Sequence, residues 1–121
     1  MQNKQQKLFQ EGLKYFNNKN YYDAHEEWEE LWINYKLKDA LLIQGLIQLA
    51  VGYFHITNSN IKGSLSLLNK SIPKLEKHLI NDREIDIIYI LKQVSLTIID
   101  LNSITNTNKF NWSLAPRLIL K

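Results

Sequence analysis

Apolar residues recur every three or four positions along almost the whole chain, and strict apolar–polar alternation is scarce. This pattern disfavours a sheet and predicts an all-α fold of about five helices. The spacing places them near residues 4–17, 21–36, 39–57, 60–79 and 84–101. Leu8, Phe9, Leu13 and Phe16 form the inward side of the first. Asn20, Asp39 and Asn60 stand where helices begin, with Asp23 three residues after Asn20 as a weak capping-box partner. Pro73 falls inside the fourth helix and is expected to kink or break it. The polar run "NSITNTNKFNW" ends the pattern. Residues 1–104 are therefore expected to form a single domain, with a loose tail over 105–121.

The chain also repeats itself imperfectly. "NKNYYDAHEEWEEL" (18–31) and "NSNIKGSLSLLNKS" (58–71) align at an offset of 40 residues. Each has an Asn-rich loop, a small residue in the first turn, and then an apolar stripe. Loop–helix units at this interval predict antiparallel helical hairpins, as a tetratricopeptide-like stack or a compact bundle.

Composition narrows the chemistry. There is no cysteine, which excludes disulfides and thiolate metal sites and fits a reducing compartment. The most apolar segment, residues 40–56, is interrupted by Gln44, Gln48 and His55, so no membrane span is expected. "MQNKQQKLFQEGL" lacks the apolar core of a secretion signal. Five of the twelve acidic residues lie between Asp23 and Glu30, so the remaining seven face fifteen Lys and Arg. No cluster of basic residues interleaved with aromatics appears, which argues against nucleic acid. Ile, Asn and Lys together make 41 of 121 residues, and their codons are AT-rich. The expected setting is a plastid, encoded there, with a bacterial cytoplasm as the alternative.

"YYDAHEEWEELW" (21–32) carries the densest chemistry. On a helix, Tyr21, His25, Trp28, Trp32 and Tyr35 form one stripe, with Glu29 at its edge. Glu26, Glu27 and Glu30 are expected to face water. Gln44, Gln48 and His55 share a face of the third helix, and Gly45 and Gly52 form an adjoining strip for close approach of another backbone. The short loop at 36–38 makes these two helices antiparallel neighbours. His25 and Glu29 are then expected against Gln44, Gln48 and His55 in a polar cluster inside an apolar helix pair. Such a cluster is a register-fixing network, a ligand pocket or, with His25, Glu29 and His55 as ligands, a divalent-metal site. Trp28 and Trp32 are expected to pack in the core.

"AHEEWEELW" (24–32), "LIQGLIQLAVGYFH" (42–55) and a later "G…LL" (Gly63, Leu67, Leu68) resemble the family called domain of unknown function 309, over roughly residues 8–79. His25, Glu26, Glu29, Trp32, Gln44 to Gln48 and His55 match its pattern, whereas Ser64 stands where relatives often have alanine. The resemblance implies an all-helical fold found in bacteria, archaea and plastids, and implies no activity. No phosphate loop and no nucleophile–base pair is visible. The expected function is a non-enzymatic binding or scaffolding module for a protein or small ligand, with no cofactor. A metal-dependent hydrolase using His25, Glu29 and His55 is the alternative.

Overall fold

The computed structural model describes residues 3–120. Five α-helices follow one another: α1 (Lys4–Asn17), α2 (Tyr21–Asn34), α3 (Ala40–Thr57), α4 (Ile61–Glu76) and α5 (Ile87–Asn102). Short 3₁₀ turns at Thr107–Lys109 and Trp112–Leu114 follow α5. Each helix packs mainly on the next in sequence, which is how stacked hairpins are built. The fold is an all-α compact bundle.

The two hairpins α1–α2 and α3–α4 are copies at the offset of 40. Asn20 N–H donates to Tyr15 O and Lys19 N–H to Phe16 O; Asn60 N–H donates to His55 O and Ser59 N–H to Ile56 O. These are the paired bonds of a Schellman C-terminus, made twice. The left-handed position of that motif, usually glycine, is Lys19 (φ 64°) in one copy and Ser59 (φ 57°) in the other. Gly12 and Gly52 also correspond. A Cβ on Gly12 would lie 2.0 Å from Trp28 Nε1, and one on Gly52 2.7 Å from Leu68 Cδ2. Trp28 and Leu68 are themselves 40 residues apart. Gly12-x₂-Tyr15 with Ala24-x₃-Trp28 follows the tetratricopeptide spacing of small and aromatic residues, though that repeat is about 34 residues long.

The core joins both copies through rings. Phe16 meets Tyr21 at 5.0 Å, Trp28 at 6.0 Å and Tyr53 at 6.2 Å between centroids. Trp28 Nε1–H donates to Phe9 O at 3.1 Å, which satisfies the one polar atom of a fully buried indole. Thr97 of α5 donates its hydroxyl to Gln93 O, so it is Tyr53 that donates to Thr97 Oγ1, at 2.8 Å. Burial pushes the Tyr21 and Tyr53 phenols well above their ordinary range, and both stay neutral. By length and composition α3 could cross a membrane, but half of it is buried within the bundle.

Two expectations are corrected here. Pro73 neither breaks nor ends α4, which continues to Glu76. The bond it forfeits would go to the carbonyl of Asn69, an exposed residue, where solvent can substitute. The tail expected to be loose is docked. Trp112 stacks on Tyr21 at 6.2 Å, Phe110 and Leu118 are buried, and Asn17 bonds both the N–H and the carbonyl of Leu118. Phe110, Leu114 and Leu118 have helical spacing, but Ala115, which precedes Pro116, is extended (φ −65°, ψ 127°), so the apolar residues pack singly instead.

Candidate functional site

The buried stripe of α2 is Tyr21, Ala24, Trp28 and Leu31. Its centre lies about 40° round the helix from that of the stripe expected through Tyr21, His25, Trp28, Trp32 and Tyr35. Small Ala24 and apolar Leu31 pull the helix round, and both were legible in the sequence as non-polar positions on that side. Trp32, expected in the core, is 40% exposed. His25 and Glu29 sit on one flank of α2 and Glu27 on the other.

His25 is a half-open residue. Its Nδ1–H donates to Tyr22 O at 2.9 Å, and its Nε2 lies 2.9 Å from Glu29 Oε2, an ion pair when the ring carries its second proton. The Glu29 side chain is 47% exposed. Beside them Tyr22, His25, Val51, Phe54 and His55 line a groove of about 280 Å³ between α2 and α3. Tyr22 meets Phe54 at 5.3 Å and His25 at 5.0 Å. Asn60 Oδ1 accepts the Gly63 N–H that caps α4, so its Nδ2 is turned to His55 Nδ1 at 3.4 Å. That contact favours the tautomer with a proton on His55 Nε2.

The expected cluster is therefore only half assembled. His25 and His55 come to one groove and Glu29 pairs with His25 beside it, but no hydrogen bond joins Gln44 or Gln48 to them among the described residues. Gln48 Oε1 is buried without a hydrogen-bond partner among the described residues. The cause is the rotation of α2: its apolar stripe, not its histidine, faces α3's core side. Gly45 and Gly52 allow a close approach, and the approaching helix is α4, through Lys74, Leu75 and Leu68.

The alternative reading needed His25, Glu29 and His55 as one ligand set. Among the described residues no three His, Asp or Glu are grouped as metal ligands. Both nitrogens of His25 already face protein acceptors. The hydrolase alternative loses its ligand set on this geometry.

Glu27, expected to face water, lies partly buried in a cleft against α1 with Lys4, Lys7, Glu11 and Glu30. Desolvation first, then the carboxylates of Glu30, Glu11, Glu26 and Asp23, raises its carboxyl above the ordinary value. Sequence reading also missed the Arg83–Asp39 pair. The signal was compositional: arginine occurs only at 83 and 117 in a chain with thirteen lysines.

No curated protein matches this chain. The family model described as "Domain of unknown function (DUF309)" matches residues 9–67, which cover most of α1, all of α2 and α3 and nearly half of α4, the motif helices and the groove between them. Residues 9–67 of the chain belong to that domain-of-unknown-function family.

Proposed function

We propose that the protein is a non-enzymatic binding module that takes a bulky side chain of a partner protein into the α2–α3 groove. The supporting observation is that this groove is open while the core beside it is filled. At about 280 Å³ it is slightly smaller than the usual small-molecule site and matches one aromatic or aliphatic anchor. Tyr22 and Phe54 supply apolar wall, and His25, which pairs with Glu29, and His55 supply polar groups. A plastid or a bacterial cytoplasm is the proposed setting, supported by the AT-rich residue usage.

Indole, a mimic of such an anchor, provides the test by amide NMR titration. Saturable shifts confined to Tyr22, His25, Val51, Phe54 and His55 are expected. Val51→Phe, which fills the groove, should abolish them. His25→Ala should change stability by less than about 0.5 kcal/mol, as at a surface position. Shifts scattered over other surfaces would overturn the proposal. So would a loss above about 2 kcal/mol in His25→Ala, which would make His25 a structural residue.

A further inference from the structure

At the opposite end of α3, about 24 Å from His55 by helical rise, a second cavity opens. It measures about 610 Å³, well within the range of small-molecule sites, and is lined by Lys38, Asp39, His78, Ile80, Arg83 and their neighbours. Its wall is a braced loop. Asn81 Oδ1 accepts the Ile85 N–H, and Asn81 Nδ2 donates to the carbonyls of His78 and Ile85, all at 3.0 Å. This holds Arg83 in place. Its guanidinium lies 4.6 Å from the centre of the Phe9 ring and forks onto Asp39, Nε to Oδ2 at 2.5 Å and Nη2 to Oδ1 at 3.1 Å.

The fork has two consequences. It neutralises Asp39 and draws its carboxylate away from α3, whose first turn has no side-chain cap. It also leaves guanidinium N–H groups on a side chain that cannot swing away. Beside them His78 Nε2 is shielded from solvent and has no hydrogen-bond partner among the described residues. A buried ring nitrogen without a partner is costly, and a bound acceptor would relieve it. Lys38 adds an exposed cation at the rim, and Asp82 an exposed carboxylate that opposes it. Ile80, 95% exposed, and Leu120, 45% exposed, give the mouth an apolar lip.

We infer that this cavity binds a small organic anion. Its charged head meets Arg83, Lys38 and His78 Nε2–H, and its apolar body covers Ile80 and Leu120. The site is independent of the aromatic groove.

Titration of the full chain with benzoate, followed by NMR, tests the assignment, with benzamide as a neutral match and inorganic phosphate as a bare anion. Saturable benzoate shifts at Arg83 Nε–H, Ile80 and Asn81 are expected, with no matching response to benzamide. Lys38→Glu, a change at an exposed position, should keep the unfolding midpoint and weaken benzoate about tenfold, the effect of one lost charge-assisted contact. Absence of saturation, an equal response to benzamide, or unchanged affinity in Lys38→Glu would overturn the site. Phosphate binding as tightly as benzoate would overturn the organic class of the ligand.

Discussion

The hairpins α1–α2 and α3–α4 share a backbone plan and fill it differently. The first is packed around an indole: Gly12 leaves room for Trp28, whose N–H reaches Phe9 O, and Ala24 leaves nothing unpaired. The second is packed around Leu68, which lies against Gly52, and it puts Ser64 where the first has Ala24. Ser64 is fully buried and its hydroxyl has no hydrogen-bond partner among the described residues. Position 27 of the first hairpin corresponds to Leu67 of the second, so a carboxylate occupies a flank where the other copy has a leucine. The offset turn and the glycine site define the hairpin, and the side chains that fill it are exchangeable in kind but not in fit.

The largest expected difference between the copies is at the glycines. Gly12→Ala drives a methyl group into a buried, hydrogen-bonded ring, with three indole atoms at 2.0, 2.4 and 2.5 Å. A rigid ring cannot yield, so the loss should be about 3 kcal/mol in urea unfolding. Gly52→Ala meets Leu68 Cδ2 at 2.7 Å and Cγ at 2.9 Å, a side chain that can turn where the indole cannot, and the helix gains from alanine, so the loss should be about half that at Gly12. Equal losses at both sites would break the contrast between ring and aliphatic filling.

A smaller effect of opposite sign is expected at Ser64. Ser64→Ala removes the orphaned hydroxyl and makes the second hairpin resemble the first. It should stabilise by about 1 kcal/mol, seen as a higher denaturant midpoint at unchanged slope. A loss would mean that the hydroxyl is satisfied in solution.

The smallest effect concerns Glu27. With its folded pKa raised, the folded state holds the proton to higher pH than the unfolded chain does. The charged carboxylate therefore opposes folding above the folded pKa, and this is relieved as pH falls through that value toward the unfolded one. Glu27→Gln should be slightly more stable than the parent at neutral pH, and the gap should close on acidification. A gap independent of pH would remove the electrostatic account of that flank.

Much of the backbone was legible beforehand, because helical periodicity and Asn-rich breaks are local signals. α1, α2 and α3 begin within a residue of their expected starts, and Asn60 does cap α4, accepting the Gly63 N–H at 2.8 Å. Asn20 and Asp39 stand at helix starts but make no side-chain cap, and for Asp39 the reason is Arg83, 44 residues away. The site was less legible. His25 and His55 do share a groove, with Glu29 paired to His25 beside it, yet Trp32 and Gln48 miss their expected places, because a rotation of about 40° is enough to move a side chain from core to flank.

The sequence by itself determined the all-α class, the number of helices and the starts of the first four to within a residue, and the repeat at an offset of 40, since each follows from residues a few positions apart. It also carried the family motif. Only the tertiary structure decided which face of α2 is buried, that α4 is the helix lying on the glycine strip of α3, and that the tail is pinned by Asn17. These depend on contacts between residues distant in the chain, where Ala24, Leu31, Leu68 and Trp112 compete for the same interior and packing settles the angle.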